Sequence, residues 1–146
     1  MRYFIFVFVL LNTSFIPINN PEELTWDMLR DVKFEKEYSN EASAYILFPK
    51  FGKSLKALEG KLVRIKGYMV PVDLTTKEFV LSANPYATCF FCGGAGPESV
   101  MSLVFKETPK RSFKTDEHLT FTGVFRLNDN DIYNLNYILE QAMLSE

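Results

Sequence analysis

From Lys61 onward, apolar and polar residues mostly take turns. In Lys61–Val72, Val63, Ile65, Gly67 and Met69 fall on one face, while Arg64, Lys66 and Tyr68 fall on the other. A period of two is the mark of a strand with one buried face. The same alternation predicts strands over Glu78–Ser82, Ser99–Lys106 and Leu119–Leu127. The last of these is the cleanest, with Leu119, Phe121, Gly123, Phe125 and Leu127 on one side. Ile132–Glu140 alternates again, with Tyr133, Leu135, Tyr137 and Leu139 in register. Leu74–Lys77 and Asn128–Asp131 carry turn residues. Gly67 and Gly123 stand in mid-strand, where a strongly curled strand bends. Five meandering strands with such bends predict a mainly β fold over residues 61–146. Its expected form is a small OB-like, partly closed barrel, with a small β-sandwich as the alternative.

Residues 18–60 lose this period and read as a helical or irregular extension. Asn20-Pro21-Glu22-Glu23 has a capping residue, a proline and two acids in the order of a helix start. A short N-terminal helix to about Asp31 follows, with Trp26 as its packing anchor. Lys33–Asn40 is charged and without period, which predicts a loop. Ala44–Phe48 predicts a short strand closed by Pro49, and Ser54–Glu59 a helical turn stopped by Gly60.

Residues 1–17 have another character. Met1-Arg2 gives one positive charge, Tyr3–Leu11 is a short apolar run, and Asn12-Thr13-Ser14 is a polar exit. This is the layout of a secretory signal peptide, or of an uncleaved anchor, since no Ala-x-Ala-like site follows. Either predicts an exported protein of the periplasm or cell envelope, in contact with membrane only if the segment stays attached.

Composition narrows the chemistry. A length of 146 residues suits one domain. A net charge of −2 provides no field for nucleic acid. One histidine, His118, argues against catalytic triads and multi-histidine metal sites. Lys106, Lys110, Arg111 and Lys114 read as a solvated basic surface.

What remains is Cys89-Phe90-Phe91-Cys92-Gly93-Gly94, which holds both cysteines of the chain. The pair can close a disulfide, exchange thiols, ligate a metal or pack as small apolar residues. Gly93, Gly94 and Gly96 shape the loop, and a glycine after the second cysteine suits a metal knuckle. Zinc or another transition metal would need more than two donors. His118, an acid such as Glu98, or a second copy of the loop across a homodimer axis are the candidates. A thiol–disulfide exchanger usually places its cysteine at a helix N-terminus, and Gly93–Pro97 is a poor helix start.

Leu55–Lys61, Val63–Pro71, Asn84–Val100 and the ending Arg126–Leu139 together resemble a family of small exported bacterial proteins of unknown function, frequent in Bacteroidetes-type bacteria. Other branches of that family carry a Cys-x-His-Pro-Pro-Pro segment in the cysteine loop. Cys89 matches the cysteine, Phe91 stands in place of the histidine, and Cys92 follows. The resemblance implies ligation rather than redox at this loop, and an envelope location. Together these readings suggest a non-catalytic binding or scaffold module, with an envelope protein as partner. A thiol–disulfide oxidoreductase and a pure protein-interaction module are the alternatives.

Overall fold

A barrel closes around the strand that the glycine at position 67 bends. The computed structural model describes residues 20–73 and 78–145, so the expected signal segment and the Leu74–Lys77 turn lie outside the described residues. Three strands come first: the short β1 (Glu22–Glu23), then β2 (Val32–Ser39) and β3 (Ala44–Phe51), which form a hairpin. The helix α1 (Lys53–Lys56) follows. The barrel strands are β4 (Leu62–Asp73), β5 (Glu78–Ser82), β6 (Val100–Phe105), β7 (His118–Leu127) and β8 (Tyr137–Ser145).

β4 pairs with β7 along its first half and with β5 along its second. Tyr68 lies opposite both Ser82 and His118, so the two partners occupy opposite edges. β5 continues to β6, β6 runs parallel to β8, and β8 returns to β7. The ring of strands is therefore complete, and the fold is a small OB-like barrel. Its interior takes the alternating residues: Val63, Ile65, Met69, Phe121, Phe125, Tyr137 and Leu139 are almost fully buried. Gly67 and Gly123 are the tight points. A methyl at Gly67 would come within 2.7 Å of the Ser82 carbonyl, and one at Gly123 within 2.6 Å of the Glu140 carbonyl.

The N-terminal region departs from expectation. Pro21-Glu22-Glu23 does not start a helix. Glu22 and Glu23 extend alongside Val63 and Arg64 as a short parallel strand, on the stretch of β4 that β5 does not reach. Unpaired backbone along that edge is a stronger demand than local capping preference. Lys61 and Arg64 hold the two acids, and Leu24 tucks into the core. A single 3-10 turn, Met28–Arg30, follows. Trp26 does anchor this segment: its indole N–H donates to the Lys66 carbonyl at 2.8 Å, and its ring lies against Gly67.

Lys33–Asn40 is mostly strand rather than loop. Its charges read as irregular because the hairpin stands largely in solvent, with Lys50 bridging to Glu37 at 2.9 Å across it. Pro49 lies inside β3 rather than ending it, opposite Phe34 in a sheet of only two strands, where a missing N–H costs nothing on the outer edge. The α-helical turn falls at Lys53–Lys56, where Asp31 accepts from the Ser54 backbone N–H at 3.2 Å and from its hydroxyl. The last strand starts at Tyr137, not Ile132. Asn128 is the reason: its side-chain amide donates to the Asp131 and Asn134 carbonyls and its oxygen accepts from the Asp131 N–H, which winds 128–136 into a loop.

Tyr137 ties the extension to the barrel. Its hydroxyl donates to the Leu29 carbonyl at 2.7 Å, and its ring stacks on Phe125. Burial drives its ionisation well above the usual tyrosine value, reinforced by Glu98 and Asp31. Tyr137→Phe should cost about 1–3 kcal/mol, because the Leu29 carbonyl loses its donor. The folded protein keeps Tyr137 neutral while the unfolded chain ionises near pH 10, so wild-type stability falls as pH rises past that point by about 1.4 kcal/mol per unit. Urea unfolding at pH 8 and pH 11 checks both statements: the gap between wild type and Tyr137→Phe should narrow at the higher pH.

Candidate functional site

The cysteine loop joins β5 to β6 as a chain of tight turns. Tyr86–Thr88 and Phe90–Cys92 are 3-10 turns, with Cys89 extended between them. Asp116 fixes the entrance by accepting from the Tyr86 N–H at 2.7 Å. The Cys92 and Gly94 N–H groups both donate to the Cys89 carbonyl, at 3.2 Å each. Gly93 has φ +73°, a left-handed conformation that only glycine adopts without strain. Gly94 passes close to the Thr88 carbonyl, leaving no room for a side chain. Gly96 leads into the Pro97–Ser99 turn beside the carboxylate of Glu98.

The two thiols face different surroundings. Cys89 is fully buried and Cys92 is exposed, and they are not bonded to each other. The Cys92 thiol is raised above its ordinary value, chiefly by desolvation within the loop and then by Cys89 beside it. A fast thiol exchanger needs the opposite, a stabilised thiolate.

His118 is elsewhere. It opens β7, exposed, with its ring stacked on Tyr68 at 4.4 Å. Among the described residues, no three His, Cys, Asp or Glu side chains converge on one point. The loop therefore brings Cys89 and Cys92 together and leaves His118 and Glu98 outside their reach. A structural zinc takes four donors, and this donor set within one chain holds two. A four-thiolate site between two copies needs both sulfurs at the surface, and only Cys92 is there.

The neighbouring phenylalanines divide in the same way. Phe90 covers a small apolar cluster of Val70, Val80 and Val100 on the outside of the barrel, together with Leu135. Phe91 is 46% exposed and forms one wall of a groove of about 600 Å³. The floor of this groove is the outer face of β5 and β6, including Val80, Ser102 and Val104. Its far wall is the 128–136 loop, with Ile132, Tyr133 and Asn134. Among the described residues, none that lines it carries a charge. Tyr133 and Val104 are exposed at 79% and 52%. Sequence reasoning missed the groove. The available signal was that Phe91 and Tyr133 are large aromatics in segments made of turn residues.

No family model matches this chain, and no curated protein does. Among solved structures it is similar to a DUF3299 family protein, PA4066 from Pseudomonas aeruginosa PAO1. The two are 17% identical, and the match covers 87% of this chain and 97% of the other, with a TM-score of 0.47. No helix among the described residues is long and apolar enough to cross a membrane.

Alkylation separates the two thiols. Cys92 should react with iodoacetamide more slowly at pH 7 than a free cysteine, and about tenfold faster per pH unit as pH climbs toward its raised value. Cys89 should be protected until the protein unfolds. Peptide mass mapping of a pH series reads both; equal labelling of the two at neutral pH would contradict the burial difference.

Proposed function

We propose that this chain is a non-catalytic binding module of the bacterial cell envelope, and that it holds an apolar segment of a partner protein in the groove between Phe91 and Tyr133. One observation carries the reading. Small OB-like barrels bind ligands on the face of their second and third strands, flanked by the loops at its ends. Here that face is the floor of the groove, and its rim keeps large apolar side chains in water. The described lining is uncharged and has nothing to offer a phosphate backbone, so nucleic acid is a poor fit. It suits a partner that brings aliphatic or aromatic side chains and few charges. Envelope location rests on the charged-apolar-polar layout of residues 1–17.

A metal at the cysteine loop is the second reading, favoured by the left-handed glycine directly after Cys92. With two thiols as donors, the loop fits it only if a partner supplies the remainder.

The groove is tested by Val104→Arg. The side chain is half exposed and points away from the core, so the melting temperature should stay within a few degrees of wild type. Affinity purification of the tagged chain from its exporting host, wild type against variant, should show a specific partner recovered with wild type and reduced at least tenfold with Val104→Arg. Equal recovery of every protein by both would sink the groove reading.

A further inference from the structure

Cys89 and Cys92 flank the residue that walls the groove, and the groove reading does not use them. We propose that they are an oxidisable pair whose closure to a disulfide repositions Phe91, so that the redox state of the loop sets the shape of the groove; this rests on the groove being the binding site.

The geometry supplies three parts. First, the pair is within bonding reach. The Cys92 N–H donates to the Cys89 carbonyl at 3.2 Å, which closes a reverse turn. Such turns hold their first and fourth Cα atoms within about 7 Å, and disulfides span Cα distances of about 4.4–6.8 Å. Second, one sulfur meets solvent and the other does not. That is the arrangement of an attacking thiol with a resolving thiol behind it. Third, the two residues between them differ in freedom. Phe90 is packed against Val70, Val80 and Val100, whereas Phe91 is nearly half exposed at the groove. When Cys92 is drawn to a Cys89 that is fixed in the interior, Phe90 is held and Phe91 must take up the change.

The chemistry needs an external oxidant, here a small-molecule disulfide. The Cys92 thiolate attacks one of its sulfurs, a mixed disulfide forms, and the first small thiolate leaves. Cys89 loses its proton and attacks the Cys92 sulfur, and the second small thiolate leaves. The two protein thiols give up two electrons and two protons; the small disulfide accepts them and departs as two thiols. With the Cys92 thiol raised rather than lowered, this is slow chemistry at neutral pH, suited to a setting that persists rather than to turnover.

The test needs no ligand. The chain, methyl-labelled at Ile, Leu and Val, is compared by NMR after excess glutathione disulfide and after dithiothreitol. Oxidation should remove two hydrogens from the intact mass, shift the methyls of Val104 and Ile132, and leave Leu29 and Leu55 in place. Dithiothreitol should reverse all of it. Cys89→Ser should stop at the mixed disulfide and gain one glutathione, and Cys92→Ser should stay unmodified. Three results would overturn the proposal: no loss of two hydrogens, a mixed disulfide on wild type that never resolves, or a disulfide that leaves the Val104 and Ile132 methyls unmoved. None of them touches the Val104→Arg comparison, so a failure of the switch is told apart from a failure of the groove.

Discussion

β4 is the strand that everything else is hung on, because it must satisfy two neighbours in succession. Its first half gives its backbone to β7 and its second half to β5, with the change of partner at Tyr68. A strand can serve both edges of a closed ring only if it curls sharply in between, and Gly67 stands beside that point. The lack of a side chain there lets the Ser82 carbonyl and the Trp26 ring come close. The stretch of β4 left uncovered by β5 then needs a partner, and Glu22–Glu23 provides it. The entry of the chain, the docking of Trp26 and the path of the extension all follow from how β4 is shared.

That dependence explains what could be read from sequence. The barrel strands show because each has one face in the core, which writes a period of two into the residues. Glu78–Ser82 is bounded as its pattern indicates, and the interior faces of β4 and β7 are the ones that alternation selects. The extension was illegible for a physical reason. β1 exists only because a strand forty residues later has a bare edge, and no local preference reports that. β2 carries Lys33, Glu35, Lys36 and Glu37, most of it in water, so no burial imprints a period on it. The Ile132–Leu135 alternation was a false strand: the pattern is there, but Asn128 offers the backbone a tighter set of hydrogen bonds.

The cysteine loop was legible as a place and not as a device. Spacing marked it, and Gly93 has the backbone conformation that such a turn requires. What spacing could not convey was that one sulfur is buried and the other exposed, or that Phe90 packs on the valine cluster while Phe91 walls the groove. Nor could it show that the loop comes to lie beside the 128–136 loop, since those segments meet only through the closure of the barrel. The groove belongs to topology, and single-sequence patterns carry little topology.

The parallel pairing of β6 with β8 has a kinetic consequence. Among the described residues, β8 follows the other barrel strands in chain order, yet it is the one link between β6 and β7. Until residues near 145 are available, four strands can line up but the ring stays open, with the Phe105, Phe121 and Phe125 side exposed. Such a non-local step is slow, and a chain delivered from its N-terminus must wait for β8. Any helper that meets this protein before it is complete would encounter an open sheet with two adhesive edges, which makes the period before β8 arrives the moment of greatest danger of misassembly.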